Sequence, residues 1–226
     1  MRILLFGATG SAGGSVLRAC LDAPEVEEVR VVARRPPALA GAKLTVFVHA
    51  DYLDYGAVAE AFGGVDACLY CLGISATQVK SDDEYRRITH DFALAAARAL
   101  RRGSPAAAFH FLSGRGASLN GRYLWARVKA ETERDLLAEL DAVCWRPAAI
   151  DGEPSASEPR LFKIMRPILR LLRPIRSMYV KGEDLGRAML LASREGFRHR
   201  VIENAEIRDL ADRSRIAPGS TRPARP

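Results

Sequence analysis

A chain of 226 residues, 48% hydrophobic and 27% charged, has an ordinary globular composition and enough length to bury one sizeable core. Its formal net charge of +7 is local, because seven basic residues (Arg160, Lys163, Arg166, Arg170, Arg173, Arg176, Lys181) crowd between Pro159 and Gly182 with no acid among them. No apolar run approaches the ~20 residues that cross a bilayer, which excludes a spanning helix.

The start, Met1-Arg-Ile-Leu-Leu-Phe6, enters a strand-like run with no charged leader or cleavage site, and a cytoplasmic location is expected. Further runs rich in apolar and β-branched residues fall at 29–33, 44–48, 67–72, 107–112 and 142–145. Between them, 15–21, 55–62, 85–101 and 125–140 carry apolar residues at three- and four-residue spacing, which predicts helices. Strand and helix alternate, so the sheet is expected to be parallel and covered on both faces. Residues 1–216 read as one domain, and 217–226, with no large apolar side chain, as a disordered tail. The four cysteines, Cys20, Cys68, Cys71 and Cys144, include a CxxC pair, but that pair lies within an apolar run where strand geometry turns residues three apart to opposite faces. Buried thiols are expected, and no metal site.

Function-bearing residues begin where the first strand ends. Gly7-Ala-Thr9-Gly10-Ser11-Ala12-Gly13-Gly14 joins that strand to a helix expected from Ser15. Glycines allow a tight turn and close approach of backbone to a pyrophosphate, and the helix start offers N–H groups and a partial positive charge. The spacing is GxxGxxG, a loose match to the dinucleotide fingerprint, but its place between the first strand and first helix predicts a nicotinamide dinucleotide site. The expected fold is α/β, a Rossmann-type doubly wound parallel sheet with helices on both faces and a small carboxy-terminal portion on the substrate side. At the end of the second strand Arg34-Arg35 stands where an NAD-binding protein would place an acid. A guanidinium fork there suits a 2′-phosphate, so NADP(H) is expected over NAD(H).

Taken in order, Gly7-Ala-Thr-Gly-Ser-Ala-Gly13, His49-Ala-Asp51-Tyr52-Leu53-Asp54, Cys71-Leu72-Gly73-Ile-Ser75, Leu112-Ser113, Trp125-Ala-Arg-Val-Lys129-Ala-Glu, Arg146-Pro147 and Leu185-Gly-Arg-Ala-Met189 resemble the extended and atypical short-chain dehydrogenase/reductases. The nearest look is to small bacterial NAD(P)-binding, epimerase-like (NmrA-like) proteins. The resemblance implies that Asp51, with Tyr52 and Leu53 beside it, meets the adenine. It implies that Cys71, Leu72 and Gly73 line the ribose and nicotinamide side, that Ser113 is the active-site serine, and that Lys129 bonds the nicotinamide ribose. Active members carry a tyrosine four positions before that lysine; here Trp125 stands there, and an indole N–H is far too weak an acid to replace a phenol. Tyr123 is a stand-in only if the helix begins after it and the loop turns it inward.

Leu161, Phe162, Ile164, Met165, Ile168, Leu169, Leu171, Leu172 and Ile175 interleave with the basic run and are broken by Pro167 and Pro174. This segment reads as a substrate-side lid, as a membrane-surface helix, or as a core-covering or homodimer-forming helix with solvated arginines. With Phe162 and Tyr179 its only aromatics, nucleic acid is not expected as a partner. The function expected is NADP(H)-dependent reduction of a carbonyl, quinone or flavin-like small molecule. A non-catalytic NADP(H) sensor and a nucleotide-sugar epimerase are the alternatives.

Overall fold

The computed structural model describes residues 1–140, 142–153 and 170–216; residues 160, 163 and 166 of the basic run and the expected tail at 217–226 lie outside the described residues. The strands are β1 (Arg2–Phe6), β2 (Glu28–Ala33), β3 (Leu44–Val48), β4 (Ala67–Tyr70), β5 (Ala108–Leu112), β6 (Val143–Arg146), β7 (Ala149–Asp151), β8 (Tyr179–Lys181) and β9 (Arg200–Glu203). Seven of them form one sheet in the order β3-β2-β1-β4-β5-β6-β9, every neighbouring pair parallel. β7 and β8 pair separately, beyond the carboxyl end of β6. Because β2 and β3 lie on one side of β1 and β4 on the other, the order reverses at β1, and the crevice outside the strand ends there is where such sheets take ligands.

Parallel strands are buried on both faces, and side chains alternate between two cores. Ile3, Leu5, Val29, Val31, Leu69 and Trp145 face a core closed by α1 (Ser11–Asp22), α5 (Gly182–Arg194) and α6 (Asn204–Ile216). Leu4, Phe6, Val32, Tyr70, Phe109 and Phe111 face the other core, closed by a 3-10 turn (Gly56–Phe62), α3 (Phe92–Gly103) and α4 (Leu124–Glu139). The doubly wound expectation holds. All four cysteines are free and buried, with Cys68 and Cys71 on opposite faces as strand geometry requires.

Local departures have local causes. The first helix starts at Ser11, not Ser15, so Gly13 and Gly14 lie inside it despite their low helix propensity. A Cβ at Gly13 would stand 2.1 Å from the Gly7 carbonyl oxygen, so packing overrides propensity. The stretch expected as a helix at 55–62 is a kinked 3-10 turn with Val58 at φ −130°. The one expected at 85–101 is α2 (Asp82–Arg86), a π turn (Arg87–Asp91) and then α3. β7, β8 and β9 were not expected from the sequence; each has only three or four residues.

Candidate functional site

The loops that carry the expected site residues leave the carboxyl ends of β1 to β5 and gather on one edge of the sheet. At β1, Gly7 adopts φ +79°, a left-handed conformation that favours glycine, and a Cβ there would lie 2.5 Å from the Cys71 carbonyl carbon. The Cys71 N–H donates to the Phe6 carbonyl oxygen (3.1 Å), extending the β1–β4 ladder by one residue and bringing the two strand ends into contact. Gly10 N–H donates to Gly7 O (2.9 Å) and closes the turn. Gly10 is the helix cap, with no side-chain cap and no acid in the first turn of α1. The first-turn N–H groups lack partners within a helix, so this start fits a dinucleotide pyrophosphate. Gly73, after β4, is open, with nothing within 4 Å of where a Cβ would stand. Thr9 is exposed and Ser11 and Ala12 are half-buried.

Arg34 and Arg35 are exposed at the end of β2. The Tyr52 hydroxyl lies against Arg34, whose backbone N–H and guanidinium both face it; burial still raises the phenol's pKa on balance. Tyr52 itself is buried among Phe6, Tyr55 and Phe92. Asp51 is exposed and its Oδ1 accepts from the Leu53 N–H (3.0 Å), while Leu53 projects into solvent. His49 Nε2 holds the same loop through the carbonyls of Asp51 and Asp54 (2.6 and 2.7 Å).

Ser113 follows β5, its N–H donating to Trp145 O (2.8 Å), and its hydroxyl is buried with no hydrogen-bond partner among the described residues. Such a group is costly to leave unmade unless a ligand completes it. Lys129, on α4, donates from Nζ to Leu112 O (2.9 Å) and Ser113 O (3.0 Å) and lies 5.3 Å over the Phe111 ring. Burial lowers its pKa to about 8, with the nearby Glu133 carboxylate opposing that shift. Trp125 and Lys129 share one face: a Cβ at Gly114 would stand 3.7 Å from Lys129 Cδ and 3.9 Å from the indole. Tyr123 is the extended residue before α4, so the helix does begin after it, but its side chain is 61% exposed.

Sequence reasoning missed the support behind Lys129. Glu133, buried one turn further along α4, takes a two-pronged ion pair from Arg146 of β6 (Nη2 to Oε2 2.5 Å, Nε to Oε1 3.0 Å), which also reaches Glu203 of β9 (3.2 Å). An acid four positions after the lysine was the available signal. Also unforeseen, the chain after β7 packs on the first turn of α1. Glu153 N–H donates to Ser15 Oγ (2.8 Å), and a Cβ at Gly152 would meet Ser11 O at 2.5 Å. In the basic segment, Arg170 pairs with Asp151 (3.0 Å) and Arg176 with Asp209 and Asp212 (2.6 and 2.7 Å).

A family model described as NAD(P)H-binding matches residues 7–145, from the glycine turn to β6. The chain belongs to this NAD(P)H-binding family. Among its curated relatives, "Protein fmp52, mitochondrial" of Aspergillus clavatus is 30% identical over 164 residues, 70% of each chain. "Protein FMP52, mitochondrial" of Eremothecium gossypii is 28% identical over 221 residues, 93% of this chain and 97% of that one. Among solved structures, the dTDP-glucose 4,6-dehydratase DesIV of Streptomyces venezuelae superposes with a TM-score of 0.70 at 17% identity, covering 96% of this chain and 82% of that one. A UDP-glucose 4-epimerase does so at 0.69 and 16%, covering 92% and 80%. These structural likenesses place the family member in the fold shared by short-chain dehydrogenase-like epimerases and dehydratases. Two expectations are corrected. The relatives are fungal, which leaves the bacterial likeness without support, and they are called mitochondrial, which overturns the cytoplasmic location.

Proposed function

We propose that this chain is an NADP(H)-dependent reductase of a carbonyl, quinone or flavin-like small molecule. The observation that carries the reading is the buried, unpartnered hydroxyl of Ser113, a residue whose backbone carbonyl accepts from Lys129, at the edge of the sheet where the glycine turn lies. A hydroxyl held dry and unpaired suits an acceptor oxygen, whereas a protein that only binds the dinucleotide has no use for one there. The bound reduced nicotinamide supplies a hydride. Gly7, Gly10 and Gly13 shape the turn, with Thr9, Ser11 and Ala12 around the pyrophosphate. Cys71, Leu72 and Gly73 line the ribose, and Asp51 and Leu53 flank the adenine. Exposed Arg34 and Arg35, with no acid at the β2 end, support preference for a 2′-phosphate. Trp125 favours a second reading, a sensor that binds without turnover.

Binding of NADPH and NADH, followed by tryptophan fluorescence, tests the cofactor. NADPH should bind at least tenfold more tightly, and Arg34→Ala should erase the difference; equal binding in the wild type sinks the preference. NADPH oxidation with quinones, flavins and aldehydes tests the chemistry. Turnover that falls in Ser113→Ala supports the reductase, and tight binding with no turnover by any acceptor supports the sensor.

A further inference from the structure

Resting on the reductase reading, we infer that Lys129 is itself the proton donor to a carbonyl substrate, with the Ser113 hydroxyl holding the oxygen that receives the proton. Four groups compete for that role. Trp125 occupies the face next to Lys129 and offers only an indole N–H. Tyr123, 61% exposed on an extended residue, faces solvent. The Cys71 thiol is buried and pushed up to about 12 by that burial. Lys129 remains: an ammonium at the Ser113 loop, two of whose three N–H bonds go to the Leu112 and Ser113 carbonyls, leaving one to give.

The surroundings suit a proton that comes and goes. Facing Lys129 are the neutral thiols of Cys71 and Cys144, the Phe111 ring and the Glu133 carboxylate, and Arg146 already takes up most of the charge of Glu133. Burial therefore dominates, and the ammonium is a stronger acid than a surface lysine, near the value a general acid needs at neutral pH. In the step, the carbonyl carbon gains a C–H bond from the nicotinamide hydride and the C=O π pair moves onto oxygen. That oxygen takes a proton as one Lys129 N–H bond breaks. Two electrons pass from dinucleotide to carbonyl, an alcohol leaves, and water reprotonates the neutral amine.

Lys129→Arg keeps a cation that holds its proton at every working pH, and Lys129→Met removes the charge without added bulk. With NADPH, an aldehyde and menadione as probes, aldehyde reduction should fall at least 100-fold in either variant. Menadione reduction should fall by a clearly smaller factor, because a hydroquinone anion can take its proton from water. NADPH affinity by fluorescence shows whether the site survives each change. Wild-type aldehyde turnover should decline as pH rises through about 8. In the cofactor-free protein, 13C-methylated lysines should include one signal titrating near that value and missing in Lys129→Arg. An aldehyde rate that survives either variant, equal losses on both acceptors, or a Lys129 signal titrating like a surface lysine overturns the proton-donor role and leaves the reductase standing. No wild-type turnover with either acceptor overturns both.

Discussion

His110 on β5 is fully buried between Trp145 and Ser193, and its tautomer follows from its neighbours. The Trp145 Nε1–H can only donate, so Nδ1 accepts (3.1 Å); Nε2 then carries the proton and donates to Ser193 Oγ (3.0 Å), whose own proton goes to Met189 O (2.8 Å). Burial, aided by the Arg198 charge, lowers the ring's pKa to about 3. Between that value and the ordinary 6.5 the unfolded chain holds a proton that the folded chain does not. Stability therefore rises with pH in this window and is lost on acidification. Urea unfolding from pH 7 to pH 5 should show the wild type losing up to about 1.4 kcal/mol per pH unit more than His110→Gln. Equal slopes would mean the ring charges within the fold. Gly7 and Arg34 stood out in the sequence because each follows a strand directly, Gly10 and Gly13 because of their spacing in the turn after β1, and Ser113 only through the family resemblance. Glu133 and Arg146, 13 positions apart on different elements, form a pair that only tertiary packing creates.

Among the elements, α1 and α5 cross at unusually short range. A Cβ at Gly186 would lie 2.6 Å from Ala19 Cβ and 3.1 Å from Val16 Cα, the second of which is backbone and cannot turn aside. Gly186→Ala gains roughly 1 kcal/mol of helix propensity, but overpacking a fixed seam costs about 1 to 3 kcal/mol. A net loss of stability, read as a lower urea midpoint, is the expected result; a stabilised variant would show that the helices can part freely. The long strands and helices were visible as alternating periodicities. The glycines at the start of α1 looked like loop, because intrinsic propensity knows nothing of the Gly7 and Ala8 carbonyls that Gly13 and Gly14 pack on. The π turn before α3 interrupts no apolar spacing, and β9 buries one residue of four, too little to pattern.

At the scale of the molecule, the second half of the chain returns to wall in the first. Asn204, buried at the start of α6, donates to Arg176 O (2.6 Å) and Tyr179 O (3.0 Å) and accepts from the Ala148 N–H (2.8 Å), tying β7, β8 and α6 together. Asn204→Ala removes the partner of one buried backbone group (Tyr179 O) and two part-buried ones (Arg176 O and the Ala148 N–H) and should cost about 2 kcal/mol in denaturant unfolding, with NADPH affinity falling as the wall against α1 loosens. Loss of stability with affinity intact would separate that wall from the cofactor site. On the ribosome, α1 is complete once Asp22 has been made, yet its main helical partner, α5, begins only at Gly182, where a Cβ would strike Ser15 Oγ. Through most of its synthesis the nascent chain thus carries a finished glycine turn on a helix whose α5-facing side is still bare, and a chaperone that shields that side until α5 emerges would set the yield of folded protein.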